Sequence, residues 1–410
     1  VPLALLLLTP FVLRRRRRLL ALFATLTCTV LAAGLFHLLY PVAQAWPERV
    51  AEGRWAALFT FTDAINLEHN ELPSLHLAFA TIAALFFGRG LGPVGRSLLG
   101  LWLLAVAAST LLLHEHHLLD VATGAALGAL AVAAVGRRVE RPGFLEALEV
   151  ELLCLREVGF FTRRHPRYLL TGLALWTYSL PRWRETRLMR AGFCLAQHLD
   201  DVLDGDRPID GDPVRYARSV LRREPGPLRP LAAYVWEELG RRGGEGEAPQ
   251  AWLEELVELL VRDRRRMDAR EALSAAELAA HHHRTFRLCL DLTLVAAGSE
   301  MRARDVPELT QAFAWCSPVR DLEEDLEKGL INLPREVLAR VSGSPSPRAL
   351  LQAEPVRAWL RDEHEKAAAA LAVDPPRHVV LTAFHRALAS FERRYRRRHP
   401  DLHAPLEATG

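Results

Sequence analysis

No lysine precedes Lys328, so before that point the chain's positive charge comes from arginine alone. A glycine-rich dinucleotide fingerprint is also missing, which argues against a reductive step carried out by this chain. The five cysteines fall in no metal-ligating or disulfide spacing, and Cys28 sits inside an apolar run. There is little charge imbalance. The 52 Lys plus Arg against 49 Asp plus Glu leave a formal net charge of +3, so no nucleic-acid partner is indicated. No repeat at solenoid periods is visible. The apolar run Val1–Leu13 precedes its arginines instead of following them, the reverse of signal-peptide order.

What the first part does contain is apolar sequence. Runs at 19–40, 74–88, 97–113 and 117–136 are, three or four of them, close to the length that crosses a bilayer core. Short helices of a soluble core are the competing reading. Arginines Arg14–Arg18, Arg89 with Arg96, and Arg137 with Arg138 fall at alternate ends of successive runs. The positive-inside rule then makes those ends cytoplasmic and predicts an integral membrane protein of bacterial inner-membrane type. The mostly acidic loop 41–73 falls on the outer face. Breakers in Arg137–Gly143 mark a polar linker. The expected organisation is all-α: a polytopic transmembrane helical bundle at 1–138, a linker at 139–150, and an all-helical cytoplasmic domain at 151–410. Gly240–Pro249 and Ser342–Pro347 read as surface loops. The basic tail Arg393–Arg398 is a solvated helix end or a contact for anionic headgroups. Oligomeric state is not legible.

Two histidine motifs lie at span ends on the outer side: Pro73-Ser74-Leu75-His76 and the segment Ser109–Asp120 that holds His114, His116 and His117. His116 and Asp120, four apart on a helix, allow the carboxylate to accept from one ring nitrogen and raise the nucleophilicity of the other. His76 is then available to protonate a leaving oxygen. Histidines that favour a wet boundary are the plain alternative, preferred for His114 and His117. The pattern resembles the phosphatidic acid phosphatase type 2 superfamily over about residues 19–138. The resemblance implies that His116 forms a phosphohistidine, Asp120 orients it, His76 is the acid, and Ser74 contacts phosphate. The family's Lys-x6-Arg-Pro motif is missing, and Thr110 stands in place of the third motif's arginine. Both losses remove charge that would stabilise a phosphoryl transition state, with Arg49 and Arg54 as the nearby substitutes. A branch resembling inositolphosphoceramide-type phosphotransferases keeps transfer to an alcohol open. Vanadate haloperoxidases are a more distant resemblance.

The second half carries Asp200-Asp201-Val-Leu-Asp204 and Arg320-Asp321-Leu-Glu-Glu-Asp325. Residues four apart share a helix face, so each cluster offers a two-carboxylate claw of the kind that binds Mg2+ together with substrate phosphates. Solvated, salt-bridged helix faces are the alternative. The apolar flanks Phe193–Ala196 and Ala312–Cys316 favour burial, and buried carboxylates need neutralising. With Met267-Asp268 between the clusters and Gly329–Pro334 after them, residues 145–400 resemble the squalene/phytoene synthase family. This implies an isoprenoid-synthase fold in which Asp200, Asp201, Asp204, Asp321 and Asp325 form the Mg2+ clusters, Arg320 binds substrate, and a prenyl diphosphate is ionised. Ser317 and Gln197 replace a family asparagine and arginine, and the early Ser-x-Ser-Phe element has no clear counterpart in Phe161–Arg167. Coupling of two donors, cyclisation and transfer to another acceptor therefore all stay open. The expected partners are prenyl diphosphate, lipid phosphate and the membrane. Competing hypotheses make the first domain an inactive anchor, or make the chain a lipid phosphatase with a degenerate prenyl-binding module.

Overall fold

The computed structural model describes residues 16–42, 53–54, 56–57, 60, 72–113, 116–166, 169–343 and 346–400. They are helical, with no strand among them. Val1–Leu13, Arg14, Arg15, Arg49, most of the 41–73 loop, His114, Arg167, Ser344 and Pro345 lie outside the described residues. The chain divides into two units, Val1–Leu148 and Glu149–Gly410. The division falls inside the expected 139–150 linker, but most of that segment is helical. One helix ends at Glu140 and the next begins at Phe144, so only three residues form the turn. The buried positions Val150, Cys154, Glu157 and Phe161 follow a helical period, which outweighs the local breakers Pro142 and Gly143.

Unit 1 contains α1 (Arg16–Leu39), α2 (Leu75–Gly88), α3 (Pro93–Leu112) and α4 (Leu118–Ala131). A π turn over Val132–Gly136 carries the last of these on to Glu140. Three helices are long and apolar enough to cross a membrane: Arg16–Leu39 with 24 residues, Pro93–Leu112 with 20, and Leu118–Glu140 with 23. At 1.5 Å per residue α2 rises only roughly 21 Å, short of a bilayer core of about 30 Å. Leu31, Leu35, Leu98, Leu101 and Leu104 are exposed, while Ala21, Ala33, Gly124 and Gly128 face helix neighbours. Large residues outside and small ones at helix contacts are the reverse of a water-soluble bundle.

The closest approach is between α2 and α4. A Cβ at Gly124 would stand 2.3 Å from the Ser74 carbonyl oxygen, and one at Gly128 2.5 Å from that of Ala78. Neither backbone can yield without separating the helices. Gly124→Val is therefore expected to cost about 1–3 kcal/mol through overpacking. A thermal melt in detergent checks it, and an unchanged midpoint would contradict this packing. At the other end Arg17 pairs with Glu146 and Arg89 with Glu140. These ion pairs tie the start of α1 to the first turn of the Phe144–Arg164 helix, and the residue after α2 to Glu140, where the run that continues α4 ends.

Unit 2 contains α5 (Phe144–Arg164), which begins in the junction, then α6 (Leu169–Ser179), α7 (Arg187–Leu203), α8 (Pro213–Leu221), α9 (Arg229–Arg242), α10 (Pro249–Ala269), α11 (Ala275–Ala296), α12 (Pro307–Lys328), α13 (Glu354–Leu371) and α14 (Val379–Arg398). Leu188, Ala191, Leu195, Leu199 and Val202 are all buried, the three-and-four spacing of an amphipathic helix, and they seat α7 in one core with Val257 and Val261 of α10. A second core joins Leu290, Ala312, Trp315 and Leu381. A capping box of Ser274 and Glu277 starts α11. Pro318 lies inside α12, and Gly329 ends that helix at φ 96°, a left-handed conformation that suits glycine.

Candidate functional site

Asp200 lies in the last turn of α7 and Asp204 is its C-cap, while Asp321 and Asp325 occupy the last two turns of α12. Burial, then the charges of Asp204, Asp201, Asp325 and Asp263, pushes the Asp200 proton affinity well above the usual carboxylate range. Asp204 is pushed up to about 7 by burial and by Asp206, Asp263 and Asp201, against the opposing pull of Lys328. Asp325 is pushed up to about 8 by burial, Asp321 and Asp204, although Asn332 and Lys328 oppose it. The carboxylates of α7 and α12 thus repel one another across the interior. The charge of Asp325 acts on Asp200, and those of Asp321 and Asp204 act on Asp325.

Asp201 does not belong to the claw. It is the next residue round the helix from Asp200, about 100° away, and it is buried with Oδ1 3.2 Å from His165 Nε2. The same nitrogen lies 3.9 Å from Asp206 Oδ2. Asp206 accepts from Arg164 at 2.7 Å and from Lys328 at 2.9 Å. His165, Asp201 and Asp206 have the ligand spacing of a metal group. With Arg164 and Lys328 already on Asp206, this is a balanced ionic network beside the claws.

Asp268, of the Met267-Asp268 element between the clusters, is on the surface: its side chain is 58% exposed and pairs with Arg264 at 3.0 Å. The carboxylate that α10 turns inward is Asp263. Burial raises its pKa, but His281 Nε2 at 2.8 Å and Arg266 at 2.6 Å outweigh this and hold it below the usual range. The available signal was an aspartate three residues before an arginine on one helix face. Arg266 is fully buried and donates to the Ile331 carbonyl at 2.7 Å. Beyond Gly329, Leu330 N–H donates to the Asp325 carbonyl at 2.8 Å, and the chain doubles back so that Asn332 Nδ2 donates to Asp325 Oδ2 at 3.0 Å. Arg320 is exposed at the mouth, donating to Asp321 at 2.8 Å and to the Ser317 hydroxyl at 3.1 Å.

Behind α12 a cavity of about 480 Å³ opens, walled by Trp315, Val319, Leu322, Trp359, His282 and Asn332. Asn332 therefore touches both the Asp325 carboxylate and the cavity. Pro318, which also lines it, removes one backbone hydrogen bond within α12. On the other side of α7, Glu157 accepts from His198 at 2.8 Å, Arg156 at 2.7 Å and Arg207. Burial opposes its charge, yet these donors bring its pKa down to about 2.

In unit 1 the histidine motifs meet. Ser74 is buried at the N-cap of α2, and its N–H donates to the Asp120 carbonyl at 3.1 Å. The rings of His76 and His116 stand 5.8 Å apart, edge to face. His116 and Asp120 do not share a helix as the spacing implied, because α4 begins only at Leu118. Asp120 instead receives the His117 N–H at 2.8 Å as part of an N-terminal capping box, and this turn brings His116 Nδ1 to 3.8 Å from Asp120 Oδ2. Thr110, in the motif arginine's place, is buried and accepts the His116 N–H on its carbonyl at 3.2 Å. Arg54 is exposed. No protein-family model, no curated protein and no solved structure matches this chain.

Proposed function

We propose that unit 2 ionises a prenyl diphosphate with Mg2+ and passes the resulting allylic cation to coupling or cyclisation. One observation carries this: Asp204 and Asp325, from different helices, are pushed up to about 7 and about 8, by burial with Asp206, Asp263 and Asp201 in the first case and by burial with Asp321 and Asp204 in the second. Such carboxylates are costly without a cation between them, and an oxygen-only donor set suits a hard dication. Bound by Asp200, Asp204, Asp321 and Asp325, Mg2+ supplies Lewis-acid stabilisation of the departing diphosphate. Asn332 holds Asp325 in register for that role. Arg320, anchored by Ser317 and Asp321 at the mouth, donates to diphosphate oxygens. Trp315, Trp359, Val319 and Leu322 give the cavity apolar surface for the cation.

The same proposal makes the chain an integral membrane protein. Three spanning-length helices with outward leucines support it, and the arginine-rich end faces the cytoplasm by the charge rule. The test is the full chain in detergent with farnesyl and geranylgeranyl diphosphates, with and without Mg2+, reading hydrocarbon, alcohol, diphosphate and free phosphate. Mg2+-dependent diphosphate release with hydrocarbon is the expected result. Alcohol and phosphate formed without Mg2+ would instead move turnover to unit 1.

A second activity, lipid-phosphate hydrolysis or transfer in unit 1, is favoured by the meeting of His76, His116 and Asp120 around buried Ser74. His116 is the nucleophile, Asp120 its orienting partner and His76 the acid. Arg89 and Arg96 lie at the opposite helix ends, so the missing cations count against fast turnover. With phosphatidic acid or farnesyl phosphate in mixed micelles, His116→Ala is expected to bring Mg2+-independent phosphate release down to background. If the parent protein itself releases none, unit 1 is an anchor.

A further inference from the structure

His282 lines the cavity beside Asn332, which donates through Nδ2 to Asp325 and accepts on Oδ1 from Arg266 at 3.5 Å. A neutral imidazole keeps one nitrogen lone pair that can accept a proton. The ring also packs edge to face on Phe286 at 6.4 Å and lies 5.9 Å from His281. It forms part of the wall of the 480 Å³ cavity, together with Trp315, Trp359, Val319 and Leu322. That volume is within the roughly 300–1,000 Å³ typical of small-molecule sites.

An allylic cation formed beside Asp325 has few ways to end. Hydride quenching needs a dinucleotide for which this chain has no fingerprint. Water capture would give an alcohol instead of a hydrocarbon. Loss of a proton needs a neutral base facing the cavity, and the other basic groups there are poorly suited. Glu308 is exposed and Glu363 is paired with Lys366 at 2.6 Å. His283 is exposed as well.

Resting on the ionisation proposed above, we propose that His282 is the base that ends the reaction by removing a proton from the carbocation, so that the product is a hydrocarbon. The C–O bond of the substrate breaks with its electron pair leaving on diphosphate. A C–H bond adjacent to the cationic carbon then breaks, its pair becomes the new C=C bond, and the proton goes to the lone-pair nitrogen of the neutral His282 ring. The imidazolium returns that proton to solvent when product leaves. Burial and the neighbouring charge of His281 bring the ring's pKa down to about 4, so it is neutral and able to accept at physiological pH.

The test uses the full chain in detergent with farnesyl diphosphate and Mg2+, comparing His282→Phe, which keeps a ring against Phe286, with His282→Gln, which keeps a polar group for Asn332. The readout is hydrocarbon and alcohol formed per diphosphate released, with circular dichroism as the folding control. Hydrocarbon per diphosphate is expected to fall about 10²-fold in both variants, with alcohol rising to match. A ratio equal to the parent's would overturn the inference and make the departing diphosphate the base. Loss of ionisation in both variants would overturn it too, by making His282 a positioning residue for Asn332 and Asp325. A parent protein that releases no diphosphate would sink the ionisation reading itself, an outcome distinct from the other two.

Discussion

Asp325→Asn is expected to abolish Mg2+-dependent turnover while making the metal-free protein more stable. The activity loss follows from the role of the carboxylate: removing one anionic ligand from the ionising site should cost about 10³-fold in diphosphate release, or roughly 4 kcal/mol of transition-state stabilisation. The stability gain follows from linkage. The Asp325 carboxyl has its folded pKa raised to about 8 from an ordinary 3.8. Its stabilising effect is fully present below the unfolded pKa and is lost as pH rises through the folded one. Between about pH 4 and pH 8 the unfolded chain gains an ionised carboxylate that the folded chain resists, so metal-free stability declines across that window. Asparagine removes the burdened charge and can keep an acceptor for Asn332 Nδ2. Urea midpoints in EDTA at pH 6 and pH 8 measure this. The variant should exceed the parent by a few kcal/mol at pH 8 and by less at pH 6. Adding Mg2+ should stabilise the parent alone. A parent protein indifferent to Mg2+ at pH 8 would count against the claw as a metal site.

The second large effect has the opposite sign. Glu157 is held down to about 2 from an ordinary 4.5, because His198, Arg207 and Arg156 outweigh the cost of its burial. A depressed carboxylate contributes stability above its unfolded pKa and loses it as pH falls through the folded one, here from about 4.5 to about 2. The contribution is roughly 3 kcal/mol. Glu157→Gln should cost about that much at pH 7, leaving His198 and Arg207 facing a neutral amide, and the gap between variant and parent should close as pH approaches 2. Denaturant titration at a series of pH values decides it. A pH-independent difference would mean that packing, not charge, is what the substitution removes. Tyr216, which shares His198 Nε2 at 2.9 Å, is a hydroxyl on the same network and keeps its partner in the variant.

Much of the architecture follows from local pattern. Helical period, run length and arginine placement identify the apolar helices of unit 1 and the amphipathic helices of unit 2, because side-chain direction along a helix is set by chain geometry alone. Asp200 with Asp204, and Asp321 with Asp325, share a face for that reason. The linker was harder to read, since Pro142 and Gly143 signal a break that the following helix of Phe144–Arg164 overrides within three residues.

What depends on packing was not legible. On α10 the seating of Val257 and Val261 in the core turns Asp263 inward and leaves Asp268 on the surface, which the pattern of charges alone does not distinguish. Asp201 adjoins Asp200 in sequence yet faces His165, because one residue is a 100° rotation. His116 reaches Asp120 through a cap and not along a helix, and its approach to His76 depends on Gly124 allowing α2 and α4 to touch. By itself, the sequence determined the helices, their apolar faces and the carboxylate pairs, all products of a repeat a few residues long. The tertiary structure alone decided that carboxylates of α7 and α12 act on one another, that Asn332 folds back past Gly329 onto Asp325, and that Asn332 and His282 share the cavity wall. Those contacts join residues far apart in the chain, and only the packing of whole helices sets their distance.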